Sequence, residues 1–173
     1  MRLVTFEGVD GTHLGLMSGD DVIDLTEIDA TAPRNIGEAI RSGKLANLAE
    51  MGANAPASAR LKYDDLTFAL PVADPGKILC LGLNYIEHVN EGIFTKQDFP
   101  TIFMRCVTSL VPHNQPIIRP KNSITLDYEA ELALVIGKEA RHLTADNALD
   151  CVAGYTCFND GSVREYQRHT VQW

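Results

Sequence analysis

A chain of 173 residues is long enough for one substantial domain, or for a small domain followed by a medium one, and for a proper buried core. Its 15 Lys and Arg against 23 Asp and Glu give a formal charge of -8, which excludes a broad electrostatic grip on nucleic acid phosphates and leaves any small anionic substrate in need of a local cation. No apolar run approaches the roughly 18 to 20 residues of a membrane span, and "MRLVTFEGVDGTHLGL" lacks the basic, apolar and small-residue regions of a signal peptide; no membrane partner is expected, and the expected compartment is the cytoplasm.

In chain order, "RLVTFE" and "THLGLMSGDDVIDLT" are short alternating apolar runs broken by Gly-Thr and Gly-Asp-Asp, the pattern of a β-hairpin or meander. "NIGEAIRSGKLANLAEMG" has apolar residues at Ile36, Ala39, Ile40, Leu45 and Leu48, a helical spacing interrupted at Gly43. "GANAPASARL" reads as a loop, and "DDLTFALPVADPG" as a strand ending in a Pro-Gly turn, so a small unit is expected over residues 1–72 and a second over 73–173. There "KILCLGLNY", "TIFMRCVTSLV" and "QPIIRP" read as strands, "LDYEAELALVIG" as an acidic strand, "TADNALDCVAGY" as a short helix capped by Thr144, and "GYTCFND" as a strand ending on a polar pair. Short strands dominate, which favours a β-rich roll or barrel over a doubly wound sheet.

The acidic strand raises a chemical question. Asp127, Glu129 and Glu131 alternate with Tyr128, Ala130 and Leu132, so the carboxylates share one face of a strand. Each disfavours ionisation of the next, and water, protonation or a cation must relieve the repulsion. An i, i+2 pair of these strand carboxylates, joined by Asp160 from "FNDGSVREYQ", suits a hard divalent cation, whereas a solvated sheet face or charged edge strand needs no metal. His88 and Glu91, three residues apart, could form an imidazole–carboxylate pair that activates water, or a surface pair on a helix. Arg164 and Gln167 could grip a carboxylate and a carbonyl, or line a solvated helix face. His13, His113, His142 and His169 read as surface or loop residues, and Cys80, Cys106, Cys151 and Cys157, with no CxxC spacing, read as free thiols without chemistry.

The ordered set "ILCLGLNYIEHVNE", "PTIFMRCVTSLVPHNQPIIRP", "LDYEAELALVIGKEARHLTADNAL" and "VAGYTCFNDGSVREYQ", ending in "QW", resembles the fumarylacetoacetate hydrolase superfamily, in its bacterial acylpyruvate and diketoacid hydrolase group. The resemblance runs from Lys77 to Trp173, and "DYEAEL" with "NDGSVR" carries its specificity. It implies an α+β, β-rich fold: a small N-terminal α+β domain followed by the N-terminal portion of the family's mixed β-sandwich roll. It implies that Glu129, Glu131 and Asp160 bind Mg²⁺ or Mn²⁺, with Ca²⁺ a third option; that His88 and Glu91 activate water; and that Arg164 and Gln167 hold a small anionic oxo-acid substrate. Asp127 belongs to the motif without being a usual ligand. The implied activity is hydrolysis of a C–C bond in a 1,3-diketo acid through an enolate stabilised by the cation, with isomerisation or decarboxylation of a related 2-oxo diacid, or a non-catalytic assembly role, as alternatives. A homodimer is implied as well. Gly161 and Val163 stand where the commoner motif has Val and Ala. Members continue past "QW" with a lysine-bearing segment and roughly a hundred further residues, so that this chain alone is inactive is an expectation.

Overall fold

The structure is a computed structural model that describes residues 1–85 and 98–170. Its first part is the expected meander. Strands β1 (Leu3–Gly8), β2 (Gly11–Ser18) and β3 (Asp21–Asp24) run antiparallel, and β4 (Arg60–Lys62) pairs with β3 to complete a four-stranded sheet in that order. Gly8 faces Gly11 across the first turn, and Gly19 takes φ 65° at the second, a left-handed conformation that costs little only without a Cβ.

Helices α1 (Leu25–Ile28), α2 (Ile36–Arg41) and α3 (Leu48–Ala53) lie in the stretch between β3 and β4. Asp24 caps α1 by accepting from Thr26 N at 2.9 Å and Glu27 N at 3.2 Å, and Asn35 caps α2 through Glu38 N at 2.9 Å. Gly43, at φ 68°, ends the α2 turn where the helical spacing breaks. Leu14, Ile23, Leu25, Ala39 and Leu48 close the core beneath the sheet. Each fully buried leucine there contributes about 1.5–3 kcal/mol.

Two stretches of this part differ from expectation. "GANAPASARL" is not a plain loop: it holds the end of α3, a 3₁₀ turn at Ala57–Ala59 and the start of β4, because Leu61 finds Val22 as a cross-strand neighbour. "DDLTFALPVADPG" is not a strand: after a 3₁₀ turn at Tyr63–Asp65 it makes one bridge, Phe68 with Phe6, and Pro71 then lacks the N–H that a longer ladder requires.

The second part is built from two-stranded antiparallel ribbons. β5 (Ile78–Gly82) pairs with β6 (Thr101–Arg105), β7 (Leu126–Asp127) with β10 (Ser162–Val163), and β8 (Ala130–Ile136) with β9 (Val152–Asn159). Helix α4 spans Arg164–Gln167. "QPIIRP" forms no strand, since prolines at both ends remove ladder donors. The helix expected after Thr144 is a 3₁₀ turn at Ala148–Cys151, and Asn147 Oδ1 accepts from Thr144 N at 2.8 Å, the return bond that Glu or Gln makes in a capping box. The fold is thus sheet-rich α+β, and among the described residues no helix is long and apolar enough to cross a membrane.

Candidate functional site

The acidic stretch is not one continuous strand. β7 stops at Asp127 and β8 starts at Ala130, so Tyr128 and Glu129 leave the ladder between them. The gap is stitched to the corner that joins β9 to β10: Asp160 N donates to the Glu129 carbonyl at 2.9 Å, and Glu129 N donates to Asn159 Oδ1 at 3.2 Å. Past that corner Ser162 pairs with Asp127 and Val163 with Leu126, so α4 opens with Arg164 beside the acidic motif. The two distant motifs meet because two short ladders share one corner.

Along β8 the expected alternation holds: Glu131, Ala133 and Val135 are half-buried, while Leu132, Leu134 and Ile136 are exposed. Arg164 gathers the acids on its side. Its Nε and Nη2 donate to Asp127 Oδ2 at 3.0 and 2.9 Å, its Nη1 pairs closely with Glu129 and donates to Gln167 Oε1 at 3.2 Å. Burial works against the charge of this guanidinium, and its hydrogen bonds to Asp127 and Glu129 more than offset that, holding its pKa above the ordinary value.

Asp160 is buried, its side chain 6% exposed, and it pairs with Arg105 from β6. Arg105 Nη2 also donates to the Gly161 carbonyl at 2.9 Å, so one guanidinium binds both the side chain and the backbone of the corner. Among the described residues Arg105 Nε has no hydrogen-bond partner. Cys80 on β5 lies in the same field: burial, then the charge of Asp160, pushes its thiol pKa up, with Arg105 pulling the other way, which keeps it a neutral thiol. All four cysteines are free, as expected.

Glu129, Asp160, Arg164 and Gln167 are therefore brought together, with Glu131 two positions along the same side of the strand. His88 and Glu91 lie outside the described residues; Tyr85, which opens their motif, accepts from Leu132 N at 3.3 Å and so lies against the acidic strand. Among the described residues no three His, Cys, Asp or Glu side chains converge as a metal-binding group. Glu129 is paired with Arg164 and Asp160 with Arg105. By its chemistry the donor set nevertheless fits a hard divalent cation, since Glu129, Glu131 and Asp160 offer carboxylate oxygens and Asp160 is buried. An open cleft of about 250 Å³ lined by Ile117, Leu126, Asp127, Tyr128 and Asn159 adjoins the motif.

Two residues escaped the sequence reading. Arg105 sits in an apolar run with no partner at a recognisable spacing. His13, expected at the surface, is buried, its Nδ1 2.7 Å from Asp24 Oδ2 and its Nε2 2.5 Å from Asp10 Oδ1, while Arg34 grips both oxygens of Asp10 at 3.1 and 3.0 Å.

Comparison with known proteins agrees with the motif order. The model for the family described as fumarylacetoacetate (FAA) hydrolase C-terminal matches residues 77–173. The chain is 35% identical over 179 residues to oxaloacetate tautomerase FAHD2A, mitochondrial, from Homo sapiens, covering 100% of this chain and 57% of that protein. It is 33% identical over 184 residues to fumarylacetoacetate hydrolase domain-containing protein 2 homolog from Dictyostelium discoideum, covering 100% of this chain and 59% of that one. Among solved structures, fumarylacetoacetate hydrolase from psychrophilic Exiguobacterium antarcticum matches with TM-score 0.77 at 29% identity, over 99% of this chain and 60% of that chain. Maleylpyruvate hydrolase from Sphingobium sp. SYK-6, in complex with manganese (II) ion and pyruvate, matches with TM-score 0.71 at 27% identity, over 95% and 60%. The chain thus spans less than two thirds of the length of these relatives.

Proposed function

The chain belongs to the fumarylacetoacetate hydrolase family, and from that premise we propose that it serves an enzyme acting on a small 2-oxo acid through enolate chemistry assisted by a divalent cation. The observation that carries this reading is the meeting of the two motifs at one corner: Asp160 N donates to the Glu129 carbonyl and Glu129 N to Asn159 Oδ1, which gathers Asp127, Glu129 and Asp160 beside Arg164 and Arg105. Glu129, Glu131 and Asp160 are the residues we assign to hold Mg²⁺ or Mn²⁺. When bound, such a cation supplies charge stabilisation to the carboxylate and 2-oxo oxygens of the substrate.

The chain's own residues do the rest. We assign Arg164 to a substrate carboxylate, which would share the guanidinium with Asp127 and Glu129, and Gln167 beside it to a carbonyl oxygen. We assign acid–base work to His88 and Glu91. In keto–enol tautomerisation they remove a proton from the carbon next to the 2-oxo group and deliver one to its oxygen. The 35% identity to an oxaloacetate tautomerase supports this outcome. Cleavage of a 1,3-diketo acid is the second reading, supported by the likeness to maleylpyruvate hydrolase. There His88 deprotonates water, which adds to the distal carbonyl; the C–C bond breaks toward the carbon beside the 2-oxo group, and protonation of that carbon gives pyruvate and a carboxylic acid. We also propose a homodimer, and the cytoplasm as compartment.

The test is to supply the chain with Mg²⁺ or Mn²⁺ and follow loss of the enol absorbance of oxaloacetate in parallel with pyruvate release from acylpyruvates. Turnover of either substrate that is lost in Glu131→Gln supports the proposal and selects the reaction. A chain that binds the cation yet turns over neither acid would instead fit the non-catalytic assembly role.

A further inference from the structure

The residue that the motif logic does not use is Arg105, and it holds the most buried acid of the site. Asp160 has no carboxylate neighbour in its own hydrogen bonding; its charge is balanced by Arg105, carried in from β6. A guanidinium engaged only with a carboxylate would be lost from its place when a metal ion takes that carboxylate. Arg105 differs, because Nη2 has a second, neutral partner in the Gly161 carbonyl and Nε has none. It can release Asp160 and stay anchored to the backbone of the same corner, with an unused N–H to satisfy elsewhere.

We propose that Arg105 is an internal counter-cation for this site: a positioning residue that holds Asp160 while no metal is bound and competes with the divalent cation for it. The proposal rests on the assignment of Asp160 as a ligand. It also implies that the affinity for the cation is set partly by a side chain that never touches it.

The experiment measures Mn²⁺ binding to the chain from the paramagnetic resonance signal of the free ion, for the natural chain, Arg105→Gln, Arg105→Lys and Glu131→Gln. Gln keeps a donor for the Gly161 carbonyl and removes the charge; Lys keeps the charge. Arg105→Gln is expected to bind Mn²⁺ at least about tenfold more tightly, Arg105→Lys to stay within a few-fold of the natural chain, and Glu131→Gln to bind much more weakly. If the natural chain binds and Glu131→Gln does not, but Arg105→Gln binds equally or more weakly, the counter-cation role is wrong and the ligand assignment survives. If neither the natural chain nor Arg105→Gln binds, the ligand assignment falls and takes the inference with it. Because Arg105→Gln leaves Asp160 without its partner and could fail to fold, the natural chain is also titrated with Mg²⁺ while the Arg105 Nε–H resonance, identified by its absence in Arg105→Lys, is followed in ¹⁵N spectra. A resonance that moves with site occupancy supports displacement; one that stays fixed while Mg²⁺ binds refutes it.

Discussion

Arginine is the neighbour that settles Asp127, Glu129 and Asp160. Arg164 sits between Asp127 and Glu129, and Arg105 sits on Asp160. The two pairings differ in environment, and the difference decides their weight. Asp127 is 47% exposed, so water replaces most of what Arg164 offers it, and Asp127→Asn is expected to cost less than about 1 kcal/mol. Asp160 is buried together with most of Arg105, so Asp160→Asn strands a charge in a poorly solvated place and is expected to cost about 3 kcal/mol. Urea unfolding of the two variants checks this; equal losses would mean that Arg105 finds water as easily as Arg164 does. The meeting of Glu129 with Asp160 was legible in the two motifs taken together. Arg105 was not legible, because nothing in "TIFMRC" announces a partner 55 positions away along the chain; only the strand ladders create that contact.

At the level of elements, the first hairpin carries a polar clamp that local patterning did not announce. The strands and turns of the meander were readable from alternation and glycine, but His13 meets Asp10 only because the β1–β2 turn folds back, and Asp24 only because β3 lies alongside β2. Gly8 admits the ring, since a Cβ there would overlap it. With a carboxylate on each ring nitrogen, both nitrogens are best used as donors, which requires the imidazolium. Burial alone would lower the pKa of His13; the hydrogen bonds of Asp10 and Asp24 outweigh it and raise the pKa above 6.5. Arg34 holds Asp10 ionised, keeping its carboxyl well below the usual range. A group whose pKa is raised by folding stabilises most below its unfolded value and loses that contribution as pH climbs through the folded value. The unfolding midpoint is therefore expected to be highest between the carboxylate range and pH 6.5, and to fall as pH rises through the folded pKa of His13. His13→Asn should flatten that slope and cost about 1–3 kcal/mol on its acidic side. A midpoint as steep in His13→Asn as in the natural chain would assign the pH dependence to other groups.

Across the whole molecule, apolar surface is distributed unevenly, and hydrophobic alternation alone could not reveal which face would be covered. The meander buries its apolar side on α1, α2 and α3, with Leu14, Leu25 and Leu48 fully enclosed. The ribbons of the second part instead turn Leu79, Leu81, Ile102 and Met104 outward on β5 and β6, and Leu132, Leu134 and Ile136 outward on β8, all about half exposed or more. Pairing aligns Leu79 with Met104 and Leu81 with Ile102, so these residues form continuous patches rather than isolated side chains. Patches of that kind bind hydrophobic dyes and associate with other apolar surfaces. Because those side chains contact little within the chain, replacing them should alter surface behaviour far more than stability. The natural chain is expected to bind anilinonaphthalene sulfonate under native conditions and to sediment as a concentration-dependent mixture. Leu132→Lys combined with Leu134→Lys should reduce both the dye fluorescence and the association while moving the urea midpoint by the equivalent of less than about 1 kcal/mol. A large loss of stability with unchanged dye binding would show that the outer face of β8 is covered by packing within the chain.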